Sequence, residues 1–163
     1  MKPISFFQEI IQTRMGLSIT LEETNQQLII AAENLHEIAD FLWKSSDTYF
    51  DQLSCITAID NGLEKGTIDV IYTLYSIPFH ETLHLKVVLP RLLKGEELPV
   101  IDSLAAIWKT ADWHEREIYD LMGIRFSDHP DLRRILLPED WVGHPLRKDY
   151  VEQEKYHGIQ VKF

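Results

Sequence analysis

The chain has 163 residues, of which 45% are hydrophobic, and its 26 acidic and 16 basic residues give a net charge of −10. This length and composition suit one folded domain with a core of its own. The negative charge opposes non-specific binding to nucleic acid or to anionic lipid, and the single cysteine excludes a disulfide framework, a zinc knuckle and a self-contained iron–sulfur site.

The N-terminal part of the chain predicts a helix followed by a hairpin. Residues 4–15 place aromatic and aliphatic side chains at helical spacing, and Gly16 follows in the position of a C-terminal cap. Two apolar runs, 17–22 and 28–33, flank the polar residues 24–26. This pattern is typical of two short strands joined by a turn.

A second helix and three strands are predicted next. Asn34 is placed to cap the helix, and Glu37 three residues later completes a capping box. Apolar residues then recur at every second position in three stretches separated by glycine- and proline-containing turns, which predicts an antiparallel meander with one buried face. The residues expected to point inward are Leu53, Cys55, Thr57 and Ile59, then Ile68, Val70, Tyr72 and Leu74, then Leu83, Leu85, Val87 and Leu89.

A long third helix is predicted from Asp102, as its N-cap, to Met122, with Gly123 as its C-terminal cap. One apolar stripe runs along it, formed by Ile101, Leu104, Ala105, Trp108, Ala111, Ile118 and Met122. The element order predicts a two-layer α+β domain in which helices cover one face of a mainly antiparallel sheet.

The last residues, 123–163, contain three prolines and follow neither a helical nor a strand period. Such long unstructured segments are usually functional or disordered, and disorder conflicts with the apolar content here. The apolar residues are Leu132, Ile135, Leu136, Leu137, Trp141, Tyr150, Tyr156 and Phe163. We therefore divide the chain into a body, 1–122, and an extended C-terminal arm, 123–163, that is ordered against a partner.

Glu115 lies on the apolar stripe of the predicted long helix. A buried carboxylate needs a cation and hydrogen bonds. One interpretation is that the helix emerges here and Glu115 is solvated among its charged neighbours. The other is that Glu115 and Glu117 hold an arginine of the arm, in which case replacing Glu115 with Gln is expected to loosen the arm. The candidate arginines are Arg133, Arg134 and Arg147.

The sequence shows no active site of its own. His114-Glu115 matches the start of a zinc-binding HExxH motif, but Ile118 stands where the second histidine is needed. Glycine-rich phosphate loops and a GxSxG elbow are also absent from the sequence. A small metal hydrolase built on His114, Glu115 and Asp120 is therefore disfavoured.

Residues 115–150, EREIYDLMGIRFSDHPDLRRILLPEDWVGHPLRKDY, carry a pattern of constrained positions that continues into PEDW and PLRKDY blocks. The positions are Glu115, Arg116, Glu117, Asp120, Leu121, Met122, His129, Arg133, Ile135 and Leu136. This region resembles the signature of the C subunits of respiratory complex I, the proton-translocating NADH:quinone oxidoreductase.

The resemblance implies a non-catalytic assembly subunit of the peripheral arm, which supports electron transfer from NADH through iron–sulfur clusters to quinone. It implies no catalytic, cofactor-binding or metal-binding residue on this chain, with FMN, iron–sulfur clusters and quinone held by other subunits. The expected partners are subunits of D, B and I type, and neither nucleic acid nor a membrane span is expected. The expected location is the cytoplasmic face of the inner (cell) membrane, reached through the complex.

The residues expected to clamp the arm and to form the partner interface combine the signature with the arginine and aromatic residues of the arm. They are Glu115, Arg116, Glu117, Asp120, His129, Arg133, Arg134, Trp141, Arg147, Lys148, Asp149 and Tyr150. Two alternatives stay open at this point. The chain could be the equivalent subunit of a ferredoxin- or deazaflavin-dependent complex or of a membrane-bound hydrogenase, or a free-standing adaptor.

Overall fold

The computed structural model describes residues 2–92 and 97–161, so Phe163 lies outside the described residues. The helices are α1 (Ile4–Met15), α2 (Leu35–Lys44) and α3 (Ala111–Met122). The strands are β1 (Thr20–Glu22), β2 (Gln27–Ile30), β3 (Gln52–Asp60), β4 (Thr67–Ser76), β5 (Glu81–Pro90), β6 (Val100–Asp102), β7 (Arg125–Ser127), β8 (Lys155–Tyr156) and β9 (Ile159–Gln160). Within the described ranges, no helix is both long and apolar enough to cross a bilayer.

A five-stranded sheet in the order β1-β2-β5-β4-β3 forms the centre of the fold. Its pairs are antiparallel except for β2 beside β5, which is parallel. The predicted inward residues of β4 and β5 are all buried, and they pack with the apolar residues of the helices in one core. The predicted α+β class, with helices on a mainly antiparallel sheet, is confirmed.

The predicted alternation along β3 is wrong beyond its first residue. A β-bulge lies between Leu53 and Cys55, so Ile56 rather than Cys55 pairs with Tyr72 and points into the core. Because a bulge inserts one residue into the pairing, every later side chain changes face. Ile59, predicted to point inward, is exposed, and Asp60 is buried instead.

The first two helices lie where the sequence predicts them. Gly16 adopts the left-handed conformation (φ 69°) and ends α1, as expected of a C-terminal cap. The predicted capping box before α2 is wrong: Asn34 closes a short 3-10 turn, and its side chain makes no capping hydrogen bond. The turn has already given its backbone helical dihedral angles, whereas a capping residue is extended.

The third helix is shorter than predicted, because residues 100–110 are not helical. Residues 100–102 form β6, which pairs in parallel with β7, and the segment that follows makes turns. Trp108 donates its indole N–H to the carbonyl of Phe50, 3.0 Å away. The apolar residues at 101, 104, 105 and 108 are buried as predicted, but through tertiary contacts rather than as a helical stripe.

The first residues of the predicted arm belong to the body. Ile124 and Phe126 are buried in the core, and β7 pairs with β6. Truncation after Met122 would therefore remove core side chains and one strand. We place the end of the body at Ser127 and call residues 128–161 the C-terminal extension.

Candidate functional site

The C-terminal extension lies along the body and keeps part of every residue exposed. It includes the two-residue strands β8 and β9, paired with each other, and is otherwise irregular. Leu132 packs against the core, and polar contacts attach the segment to the body at further points. Two buried carboxylates of the body, Asp120 and Asp60, make these contacts.

Asp120, near the end of α3, binds the extension through its main chain. Its Oδ2 atom accepts the N–H groups of Ile135, Leu136 and Leu137 at 3.1, 2.8 and 2.9 Å. Its Oδ1 atom accepts Arg134 Nη1 at 2.6 Å. Burial raises the pKa of Asp120, but these N–H donors and the guanidinium outweigh burial and hold the pKa below its usual value. The carboxylate is thus ionised and closes the turn at residues 134–137. We call these contacts the Asp120 site.

Arg134 and His144 extend the Asp120 site along the chain. Arg134 Nη2 donates to the carbonyls of Trp141 and Gly143, both at 3.0 Å. The His144 ring lies 2.9 Å, through Nδ1, from the carbonyl oxygen of Asp120. It also lies against Gly123, where an added Cβ would come within 2.5 Å of the ring and where φ is 69°. Position 123 therefore requires glycine for conformation and for space.

Arg116 and His129 fix the start of the extension on the other side of α3. Arg116 donates to the carbonyls of Arg133 and Arg134 at 3.2 and 3.3 Å. The fully enclosed His129 side chain accepts the Asp131 N–H at Nδ1, 3.0 Å away, so its proton resides on Nε2, which lies 3.1 Å from the carbonyl of Asp112. These contacts again use the main chain of the extension or of the helix.

Asp60 binds the C-terminal extension at a second place, about a dozen residues after the turn at the Asp120 site. We call these contacts the Asp60 site. The Oδ1 atom of Asp60 pairs with Arg91 Nε at 2.7 Å, and Oδ2 accepts the N–H of Lys148 at 2.8 Å. Arg91 Nη2 also lies 2.9 Å from Asp149, which in turn binds Arg147 at 3.1 Å. Burial raises the pKa of Asp60, but the hydrogen bonds from Arg91, from Lys148 and from a turn N–H lower it to about 2.

We expect replacement of Asp60 with Asn to release residues 147–149 from the sheet. The lowered pKa corresponds to about 2 kcal/mol of stabilisation at neutral pH, from roughly 1.4 kcal/mol per pKa unit. In the wild type this stabilisation is present above the ordinary pKa of 3.8 and is lost as the pH falls through about 2. Hydrogen exchange of the Lys148 amide measures the release. Unchanged protection of that amide would contradict it, and Asp40→Asn, at a partly exposed position of α2, is the control.

Glu115 does not bind an arginine of the arm, so that hypothesis is wrong, and so is the interpretation that Glu115 is solvated. Its contact with the arm is His129, whose Nε2 lies 3.8 Å from Glu115 Oε2. Glu115 is fully buried and accepts Ser103 Oγ at 2.6 Å and the Leu104 N–H at 2.7 Å, within the body. Burial raises the pKa of Glu115 and the two hydrogen bonds lower it, but burial is the larger effect and the pKa is about 7. Glu117 is exposed on the outer side of α3. On α3 it is Asp120 whose carboxylate binds an arginine of the arm, namely Arg134.

The structure brings most of the other predicted site residues to these two sites. Arg116, Asp120, His129 and Arg134 meet at α3, and Arg147, Lys148 and Asp149 meet at the Asp60 site. Three residues lie differently. Arg133 is exposed and pairs with Asp131, Trp141 packs on Tyr156 with 5.3 Å between ring centroids, and Tyr150 lies against Gly143.

Sequence reasoning missed Asp60, Arg91, Ser103 and His144 as contact residues. Asp60 stands before an Asn-Gly turn and Arg91 after the proline that ends β5. Their role depends on Lys148, 88 positions away in the sequence from Asp60. The bulge in β3 turns Asp60 inward, and the alternating pattern of the sequence gives no sign of that bulge.

The C-terminal extension carries five exposed aliphatic side chains that follow one another in the sequence, and we call them the aliphatic row. Their exposed fractions lie between 59% and 74%. The row consists of Leu136, Val142, Leu146, Val151 and Ile159. Single exposed aliphatic residues are ordinary, and five on one segment make this segment a candidate interaction surface.

Comparison with known proteins places this geometry in context. The family model "Respiratory-chain NADH dehydrogenase, 30 Kd subunit" matches residues 28–156. The chain is 39% identical to the C subunit of the NADH-quinone oxidoreductase of Chloroherpeton thalassium, over 99% of this chain and 67% of the relative. It is 35% identical to the combined C/D subunit of the NADH-quinone oxidoreductase of Acidiphilium cryptum, over 94% of this chain and 27% of that longer protein.

A solved structure has the same fold. It is a chain of the membrane-bound sulfane sulfur reductase, described as an archaeal respiratory membrane complex. The TM-score is 0.71 with 18% sequence identity, and the match covers 90% of this chain and 84% of that chain. At this identity the likeness concerns the fold alone.

Proposed function

The chain belongs to the family of the 30 Kd subunit of respiratory-chain NADH dehydrogenase, which includes the C subunits of NADH-quinone oxidoreductase. On this basis we propose that it is a non-catalytic subunit whose C-terminal extension binds the D-type subunit. Its role is to hold neighbouring redox subunits in register. Subunits of B and I type are further proposed neighbours.

One observation carries this proposal. The C-terminal extension is attached to the body largely through its own N–H and C=O groups and through charged side chains, while the aliphatic row stays exposed. Attachment through the main chain leaves the side chains free to contact another protein. Interfaces of stable complexes bury such apolar side chains at their centres.

The choice of the D-type subunit is supported by the combined C/D relative, in which a segment like this chain forms about a quarter of a longer protein. Two subunits that are joined in one polypeptide are held close to each other, which favours a direct contact between them. A separate C-type chain then needs a surface that replaces the covalent link, and the exposed aliphatic row is suited to that task.

We expect the double variant Leu136→Asp/Leu146→Asp to lose the D-type subunit. Two carboxylates placed at an apolar interface must be desolvated without partners, which costs several kcal/mol in binding. Both positions are exposed in the free chain, so its stability should change by less than about 1 kcal/mol. The measurement is the amount of D-type subunit that co-purifies with the tagged chain.

Ile77→Asp is the matched control, because Ile77 is 53% exposed and follows the end of β4 that is far from the Asp60 site. The ten residues of β4, at about 3.3 Å each, separate the two by about 30 Å. Normal recovery of the D-type subunit with the double variant would refute the proposed interface.

We further propose that the redox groups of the complex, namely FMN, iron–sulfur clusters and quinone, are held by other subunits, and that the chain is carried to the cytoplasmic face of the cell membrane by the complex. The single cysteine supports the first point, because iron–sulfur clusters need several thiolate ligands. Iron analysis of the purified chain tests it, and a stoichiometric iron content would contradict it.

A further inference from the structure

Trp113 on α3 is a large exposed aromatic residue outside the C-terminal extension. Its exposed fraction is 66%, whereas the opposite side of α3, with Ala111, Ile118 and Met122, is buried in the core. Burying a side chain of this size removes roughly 150 to 250 Å² from water. Trp113 is therefore a large apolar surface on a rigid helix.

The position of Trp113 is fixed by the same contacts that hold the extension. The guanidinium of Arg116 lies 5.8 Å from the centre of the indole ring, in a cation–π contact. That guanidinium is itself nearly buried and donates to the carbonyls of Arg133 and Arg134. The indole thus rests on a side chain that the extension holds in place.

Trp113 is also continuous with the proposed interface. The extension passes both ends of α3, since His129 contacts the carbonyl of Asp112 and the Leu146 N–H donates to the carbonyl of Leu121 at 3.0 Å. Two members of the aliphatic row are attached near the end of α3, since the Leu136 N–H binds Asp120 and the Leu146 N–H binds the carbonyl of Leu121. The exposed indole therefore belongs to the surface that the extension forms with α3.

We infer that Trp113 is the anchor of this surface and that its indole ring enters an apolar pocket on the D-type subunit. The inference rests on the proposed function and adds to it a specific residue on the body of the chain. Interface energy is concentrated in a few residues, and tryptophan and arginine are enriched among them. Trp113 is of this type, and Arg116 orients its indole before binding.

The test is a competition within the intact complex. Wild-type and variant chains with different tags are co-expressed, the complex is purified through a tag on the D-type subunit, and mass spectrometry gives the ratio of the two chains. This ratio is divided by the ratio in the total lysate. We expect Trp113→Ala to lower the normalised ratio about tenfold or more. Trp43→Ala is the control, since Trp43 is a partly exposed tryptophan on α2, and its ratio should stay near one.

A second variant guards against a folding effect. Trp113→Glu places a negative charge in the first turn of α3, where the helix dipole favours it, so the helix is retained while the apolar surface is lost. Its melting temperature should match that of the wild type, and its ratio should fall as for alanine. A ratio near one for Trp113→Glu overturns the inference.

Comparison with Leu136→Asp/Leu146→Asp in the same competition separates the two proposals. If this double variant is excluded from the complex while both Trp113 variants enter normally, the proposed function stands and the anchor is refuted. If all of these variants enter normally, both proposals are refuted.

Discussion

Replacing Asp120 with Asn is expected to detach the C-terminal extension from the body and to abolish incorporation of the chain into its complex. The carboxylate accepts three consecutive N–H groups and one guanidinium, all from the extension. An amide offers one acceptor oxygen, and its NH₂ group would face donors. Breaking a buried charge pair from one side typically costs about 3 to 5 kcal/mol.

Hydrogen exchange resolves this effect by position. The amides of Ile135, Leu136 and Leu137 should lose protection in Asp120→Asn, while those of β4 should keep theirs. Asp131→Asn is the matched control, because Asp131 is half exposed and pairs with an exposed arginine, which is worth less than about 1 kcal/mol. Retained protection of the three amides would show that other contacts suffice to hold the extension.

The second large effect concerns Glu115 and pH. Its pKa is raised from 4.5 to about 7 in the folded chain, mainly by burial. His129 Nε2 lies 3.8 Å from it, Asp112 on the same helix raises the pKa further, and the buried Tyr72 hydroxyl and Asp102 lie in the same region. The ionised form is thus disfavoured by folding, by about 3 kcal/mol at roughly 1.4 kcal/mol per pKa unit.

Folding stability depends on pH because the pKa of Glu115 differs between the folded and the unfolded chain. Below about pH 4.5 Glu115 is protonated in both the folded and the unfolded chain, and it does not affect stability. As the pH rises from there to about 7, the unfolded chain loses the proton first, so Glu115 destabilises the folded chain increasingly. Glu115→Gln cannot ionise, so the stability of the variant relative to the wild type should rise by up to about 3 kcal/mol between pH 4.5 and pH 8. The difference in unfolding free energy between the variant and the wild type at each pH removes the contributions of the other titrating groups, which both chains share.

Urea unfolding of both chains across this pH range gives the measurement. Glu9→Gln, at an exposed position of α1, serves as the control for the same substitution at the surface. A pH-independent difference for Glu115→Gln would mean that the folded pKa of Glu115 is close to the ordinary value.

The fold was predictable where local patterns agree with tertiary packing. In β4 and β5 the residues at alternate positions are buried as expected, and α1 ends at Gly16. The failures have one cause in common. The bulge in β3 and the strand β6 depend on partners far along the chain, and periodicity carries no information about them.

The candidate site followed the same rule. The signature residues do gather around α3, but the sequence suggested Glu115 as the carboxylate that holds the arm. Both carboxylates are fully buried, so burial alone cannot distinguish them. The distinction comes from which donors reach each one, namely a loop of the body for Glu115 and the extension for Asp120.

The Asp120 site recognises amide hydrogens, which every residue except proline supplies in the same form. Positions 135–137 can therefore exchange their side chains during evolution without losing their attachment, provided that none becomes proline. Since Leu136 is one of the exposed residues, substitution there changes the outer surface of the segment while the main-chain contacts with Asp120 stay in place.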